Sequence, residues 1–526
     1  MGRLLLAALL LCAASVDALA QKRGGTLRIY SPDSPASMSI HEEATVYSQG
    51  PMMGVFNNLI MIDQSAKQGS LDTVVNDLAT QWSWNADKTQ LTFDLHQGVK
   101  WHDGKPFTSA DVVCTFDLLL EKAVEKFRVN PRKVNFRNLD RVEASGDHRV
   151  VFHLKRPQPA FPMLLATGFA PIYPCHVPPA QMRRAPIGTG PFKFAEFKAN
   201  EFIRVERNPD YWKPGLPYLD AIEYRIIKNS GTAKLAFQSG LVDMTFPYDL
   251  LTPVYKNIKA EVPDAVCEMN PAGGVNRHVL MNRTVPPFDN PDIRLAVAYT
   301  VDRQSFVDII TEGEGDIGGI LQPQPGGRWG MPPDRLAKLP GYGTDIAKNR
   351  AQGQALMKKL GYGPDNMLKV KLSTRDIATY RDPAIILIDQ LKHVYIAAEL
   401  ETVDTPVWFP RLFRKDYVIS LNLQTSGPDP DPILDLYYSC GAILNPDGYC
   451  KPEIDKAIAD QSAEGDPAKR REMVWDIERR LAEDGARPIL FYTRGGTCWR
   501  PYVKGVTIPV NSLYNGNRRE TWWLDK

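Results

Sequence analysis

The chain carries almost no net charge: 63 Lys and Arg stand against 61 Asp and Glu in 526 residues. It also has no basic run, so the electrostatic footprint of a nucleic-acid binder is missing. Beyond residue 20 there is no apolar stretch of about 18 residues, the length that spans a bilayer. Histidine is scarce. The eight present are scattered, with no HExxH pair and no Cys/His cluster, which argues against a zinc site. No GxSxG elbow and no SxxK supplies a serine nucleophile, and no GxxxxGK[ST] loop supplies a phosphate cradle. Internal repeats and low-complexity segments are absent too. These gaps leave a globular protein that binds something, with little sign of catalysis.

What is present starts with length. More than 500 residues exceed what one hydrophobic core serves, so two or three domains are expected. Proline is abundant, at 42 residues, and predicts many irregular connections. Residues 1–20 read as a secretory signal peptide. Arg3 is the positive start, 4–11 the short apolar run, and Ala18-Leu19-Ala20 the cleavage site, so the mature chain begins at Gln21. Lipid anchoring at Cys12 is disfavoured, because Leu11 is not the small residue that lipidation wants before its cysteine. Six of the seven cysteines remain after cleavage, in an oxidising compartment. Cys440 and Cys450 bracket a loop rich in Gly, Asn and Pro and form the best candidate disulfide. Cys114, Cys175, Cys267 and Cys498 are left open between pairing and buried thiols.

Residues 98–117, GVKWHDGKPFTSADVVCTFD, are the most informative stretch. His102 to Pro106 is a turn, in which Gly104 frees the backbone and Pro106 fixes φ. Thr108-Ser109-Ala110-Asp111 opens a helix as a capping box with Asp in place of Glu. Val112, Val113, Phe116, Leu119 and Leu120 are its apolar face. Elsewhere, 24–30 reads as a first strand and 45–59 as a helix. Leu91, Phe93 and Leu95 alternate like a half-buried strand, and three strands fall within 192–226. A helix at 232–239 stops at Gly240. A second unit begins near Val279, with Asn290-Pro291 opening a helix to about 310. Helix 349–360, strand 368–373, helix 384–394 and strand 398–403 then alternate, which predicts an α/β class. Asp466-Pro467 opens a long amphipathic helix that Gly485 ends.

The wording and order of several segments resemble one family, the extracytoplasmic solute-binding proteins, family 5, of peptide and nickel ABC importers. They are GGTLRIY at 24–30, LATQWSWN at 78–85, the 98–117 stretch, GTGPFKF at 188–194, ERNPDYW at 206–212, QSGLVDM at 238–244 and PPFDNPDIRLAVAYTVDR at 286–303. None is decisive alone; seven in order are a strong signal. The resemblance implies a two-lobed periplasmic-binding-protein clamshell of type II. Lobe I would hold 21–61, 186–280 and 488–526, with an extra subdomain at 62–185, and lobe II would hold 281–487. Ligand would bind between the lobes and select the closed state by touching both. The implied partners are a small peptide-like solute and the permease and ATPase subunits of the importer. No cofactor and no nucleic acid is implied, and the chain is expected to act as a monomer in the periplasm.

Candidate ligand residues follow from that fold. His41, Glu42 and Thr45 lie in or at the end of the loop after the first strand, which reaches the cleft. Tyr380 and Arg381 follow strand 368–373, and ligands in open α/β sheets bind near such strand ends; Arg381 suits a carboxylate or phosphate. Trp408 suits stacking. In the peptide-binding members, a Trp-x-x-Asp segment before an Asp-Pro-Asp pair holds the peptide's amino terminus. Here Leu423 stands at the Trp and Ser426 at the acid. A neutral Ser gives no charge-assisted bond to an ammonium, which leaves Asp429 as a substitute or a ligand without a free amine. For each residue a structural role competes: His41 as a hydrogen-bonded His, Arg381 as a solvated surface Arg, Trp408 as core, Asp429 as the shaper of a Pro-rich turn. His102 reads as structural, and the spacing of Asp429, Asp431 and Asp435 is not that of a calcium loop.

The sequence therefore predicts the solute-capturing component of an ABC importer and no enzyme. Opine or sugar-phosphate conjugates, a nickel chelate and haem remain as alternative ligands. A secreted hydrolase and a receptor that reports ligand occupancy to a signalling partner remain as alternative functions.

Overall fold

Three sheets of four or five strands organise residues 21–510 and 517–526, which this computed structural model describes. The expected signal peptide and Cys12 lie outside the described residues. The first sheet runs in the order Thr26–Ser31, Ala221–Ile226, Phe202–Arg207, Phe192–Lys198. Its first pair is parallel and the others antiparallel. These include the three strands read from 192–226. Ile203 and Val205 sit at alternate positions and are buried, as a strand with one covered face requires.

A second, antiparallel sheet holds Ala79–Trp84, Gln90–Leu95, Arg149–Leu154 and Leu139–Ala144. Leu91, Phe93 and Leu95 point to its buried face, and Phe93 meets Phe152 edge-on at 5.4 Å. The helix Ser109–Leu119 covers that face through Phe116, whose ring lies 4.8 Å from that of Phe152. Its capping box forms as read. The Asp111 carboxylate accepts from the Thr108 amide at 2.9 Å, and also from Trp101 Nε1 and the Cys175 amide. His102 is structural: Nε2 bonds the Gly190 carbonyl, Nδ1 accepts from the Gly188 amide, and burial lowers its pKa to about 4. The second sheet shares one continuous core with the first.

The third sheet runs Ile396–Val403, Leu368–Arg375, Ile419–Thr425, Val275–Met281, Ile489–Thr493. Its first three strands are parallel and the last two pair antiparallel, giving the mixed sheet that β/α alternation predicts. The helix Ala378–Lys392 lies on it through Ala384, Leu387 and Leu391, a stripe at helical spacing. A separate core forms around this sheet. The helix Pro467–Glu483, capped by Asp466, packs Val474, Ile477 and Leu481 into a third cluster.

The chain passes between the first and third sheets twice. Val266–Met269 pairs with Gly496–Trp499, whereas Val275–Met281 pairs with Ile489–Thr493. On these pairings the chain crosses at 270–274 and 494–495, a few residues from the boundaries expected at 280/281 and 487/488. Strand pairing across the length of the chain sets them, and local pattern does not report it. Gly495 is required at one crossing, because a Cβ there would lie 2.0 Å from the Tyr248 carbonyl oxygen. Cys267–Cys498 joins the strands just outside both crossings, while Cys114–Cys175 and Cys440–Cys450 staple the second sheet's helix and the predicted loop.

Candidate functional site

Between the lobes lies a cavity with about 1380 Å³ of empty space, its open mouth included. Three regions converge on it. Thr45, which caps the helix Val46–Met52, brings the segment after the first strand. Phe136, Leu164 and Phe169 come from beside the second sheet. Strands Val275–Met281 and Ile419–Thr425, and the helices Ala378–Lys392 and Pro430–Tyr438, bring the third-sheet lobe. Most of the wall is aromatic or aliphatic, with a few polar groups, the usual make-up of a small-molecule site. A second cavity shares Asp249 and Thr379 with the first, so the cleft continues past those two residues.

A buried ion pair clasps the lobes at this cavity. Asp33, two residues past the first strand, faces Arg375 at the end of strand Leu368–Arg375, and their carboxylate and guanidinium are in direct contact. The hydroxyl of Thr405 donates to the same carboxylate at 2.6 Å, Arg375 Nε donates to Thr405 at 3.0 Å, and Arg375 Nη1 donates to the Tyr380 hydroxyl at 2.6 Å. Both charged side chains are almost wholly removed from water. Each is therefore held by its partner, since a lone charge at this depth is strongly unfavourable. Further along, Arg137 pairs with Asp435 at 2.7 Å and Gln158 donates to Asp431 at 2.9 Å, so the second-sheet region also grips the third-sheet lobe.

Three arginines and one acid line the cavity among the described residues. Arg375 is neutralised by Asp33. Arg132 donates to the Glu43 carbonyl at 2.7 Å and stacks 3.7 Å over Phe169. Arg277 differs: its hydrogen bonds go to the Val275 carbonyl and to the hydroxyls of Thr493 and Thr379, none of them a carboxylate. Burial lowers its pKa to about 10, partly offset by Tyr380, Tyr47 and Asp249, and it stays charged at neutral pH. Asp249 accepts from the Tyr47 hydroxyl at 3.2 Å. Burial pushes its carboxyl up to about 6, against the downward pull of Tyr30, Tyr47 and Arg277.

The residues singled out in the sequence are not brought together. Thr45 and Tyr380 line the cavity. His41 is core instead: Nε2 bonds the Pro171 carbonyl at 2.9 Å, Tyr173 and Phe127 pack on the ring, and burial holds its pKa at about 3. Glu42 is buried against Arg183 at 3.0 Å. The helix expected from residue 384 begins at Ala378, so Tyr380 and Arg381 share its first turn. Neighbours on a helix point in different directions; Tyr380 turns inward, and Arg381 sits outside beside Asp376 and Asp382. Trp408 is packed with Leu280, Val403 and Leu412. Ser426 is 1% exposed and lies off the cavity, its amide bonded to the Gly274 carbonyl. Asp429 caps the helix Pro430–Tyr438 and pairs with Arg470 at 2.8 Å, shaping the Pro-rich turn. No histidine lines the cavity, and the described residues hold no cluster of three potential metal ligands.

Arg277 was missed in the sequence, although a signal existed. Val275-Asn276-Arg277-His278-Val279 places three polar residues in a strand that an α/β sheet buries, and buried polar runs in such strands mark sites.

Comparison with known proteins agrees with this architecture. The chain is 26% identical to the "Probable di/tripeptide-binding protein 5" of Pseudomonas aeruginosa over 524 residues, covering 92% of this chain and 95% of that one. The periplasmic binding protein DppA of Helicobacter pylori, solved with the peptide STSA, superposes with a TM-score of 0.84 at 20% identity, covering 96% and 99% of the two chains. AgaA from A. tumefaciens R10, solved with agropinic acid, gives 0.80 at 22% identity, covering 95% and 99%. Both share the two-lobed binding-protein fold. The profile of one family matches residues 73–445, well over half of the sequence, and the chain belongs to the bacterial extracellular solute-binding proteins, family 5.

Proposed function

We propose that the chain is the receptor of an ABC importer, capturing a small peptide-like solute between its lobes and presenting it to the membrane permease. One observation carries this reading: a mostly apolar cavity walled by both lobes, at which the lobes are clasped through Asp33 and Arg375. Solute that touches both walls stabilises the clasped state over a separated one, and a permease recognises that state. Relatives named for di- and tripeptides and for glutathione support the ligand class. In this reading Thr45 and Tyr380 contact the solute. The chain works as a monomer in the periplasm after losing residues 1–20, and a separate ATPase subunit supplies the energy. The role is capture without chemistry.

A thermal-shift panel of di- and tripeptides tests the ligand class, because a ligand that binds only the folded state raises Tm. Several peptides raising Tm by some degrees supports it; opines or sugar phosphates alone doing so sinks it. The second reading, a non-peptide anionic conjugate, is favoured by one feature: Arg277 presents the cavity with a cation whose hydrogen bonds go to no carboxylate. Nickel chelates and haem gain no such support from a cavity without histidine.

A further inference from the structure

Arg277 is 2% exposed, yet it meets the cavity. A guanidinium carries five N–H donors. Three bonds are made, two from Nη1 and one from Nη2, and Nε has no partner among the described residues. Nε–H and one hydrogen of Nη2 are left unused, so the guanidinium keeps capacity for an anion. Threonine hydroxyls fix the guanidinium, and the Phe491 ring lies 5.4 Å from it. No carboxylate comes within ion-pair distance of Arg277 among the described residues. A buried charge with unused donors is costly unless something supplies the missing partner.

The rest of the wall narrows what that partner is. Asp249 is the one acid lining the cavity among the described residues, and two tyrosines hydrogen-bond it. Phe136, Phe169, Phe409 and Leu436 offer apolar surface and no charge. Ser426 lies off the cavity and takes no part in selecting the solute.

We infer that Arg277 is the anion-holding residue of this cleft, and that the solute is a carboxylate on an aromatic or branched aliphatic body that needs no free amine. This rests on the receptor reading above and specifies its ligand. The carboxylate takes up the unused donor capacity of Arg277, and the body fills the aromatic wall that both lobes supply.

The test uses two probes of one shape, N-acetyl-phenylalanine and N-acetyl-phenylalaninamide, with the dipeptide Phe-Phe beside them, each titrated calorimetrically into the dialysed full-length protein. The acid is expected to bind at least about 10-fold more tightly than the amide, the range for a hydrogen bond to a charged group. Arg277→Gln is expected to erase that preference, and Arg277→Lys to keep part of it, as a point charge without the fork. If Arg277→Gln does not fold, the acid–amide comparison in the unaltered protein and the Lys variant still decide. Equal affinity for acid and amide, failure of the acid to bind at millimolar concentration, or a preference that survives Arg277→Gln overturns the inference. Tight Phe-Phe binding with no acid preference would overturn it while leaving the receptor reading intact. No binding by any peptide-like probe would fail that reading as well.

Discussion

Changing Asp33 to Asn keeps the shape of the side chain and removes the charge that compensates Arg375. The effect falls on one state of the protein. With the lobes together, Arg375 is 2% exposed in its side chain, and among the described residues its one carboxylate partner is Asp33. Removing one member of such a pair costs about 3–5 kcal/mol, because the other charge stays buried. With the lobes apart, water reaches both groups and the cost nearly vanishes. The substitution therefore acts on the closing equilibrium. The Arg375 bonds to Thr405 and Tyr380 remain, which places the effect near the lower figure. At about 1.4 kcal/mol per tenfold, 3 kcal/mol weakens solute binding by roughly 100-fold. The lobe cores are untouched, so Tm should fall far less than the affinity does. Lys228→Ala is the matched control. Lys228–Asp404 also bridges the lobes, at 2.9 Å, but is 42% and 61% exposed. Such a pair is worth about 0–1 kcal/mol, and a change within a few-fold is expected. Calorimetry with the tightest-binding member of the peptide panel reads both variants, and small-angle scattering of the unliganded protein should show Asp33→Asn shifted to a larger radius. Equal affinities for Asp33→Asn and Lys228→Ala, with unchanged radii, would refute the reasoning.

Three further outcomes follow from the same geometry. Burial raises the Glu478 carboxyl from 4.5 to about 7; the folded protein keeps a proton there that the unfolded chain releases, so stability from this group is present below about pH 4.5 and is lost as pH rises through 7, by up to about 3 kcal/mol. Glu478→Gln should flatten the fall in Tm between pH 5 and pH 8, and an unchanged slope would contradict the assignment. Removing Cys267–Cys498, which spans 231 residues, should lower Tm more than removing Cys440–Cys450, which spans 10, by the difference between about 5 and about 3 kcal/mol in the chain-entropy account; the reverse order on chemical denaturation would count against it. Ser426→Ala should leave solute affinity unchanged and Tm equal or higher, because its buried hydroxyl has no partner to lose, and a drop of several degrees would show a contact that this account lacks.

Local chemistry was legible in the sequence wherever a few neighbouring residues decide it. The capping box at Thr108, the three strands of 192–226, the Asp466-opened helix and the Cys440–Cys450 loop were all readable, because cap, alternation and turn act within a few residues. The family was readable for a related reason: its signatures are such local units in a fixed order. The site was not. His41 and Arg277 are both polar residues next to apolar ones, and only the fold separates them. One meets Tyr173 and a backbone carbonyl, the other a cavity wall. The position of Arg277 depends on Val275–Met281 lying between Ile419–Thr425 and Ile489–Thr493, pairings remote in sequence. In sequence Tyr380 and Arg381 both simply follow a strand, whereas the helix that begins at Ala378 turns them in different directions.

The most direct measurement is equilibrium dialysis of ligand-stripped protein against the small-molecule extract of the bacterium that encodes it, followed by mass spectrometry of what the protein retains. The account predicts one small solute, held at one per chain, that bears a carboxylate and is lost when Arg277 is changed to Gln. Retention of nothing above the level of a non-binding control protein, or of a solute without an acidic group, would contradict it.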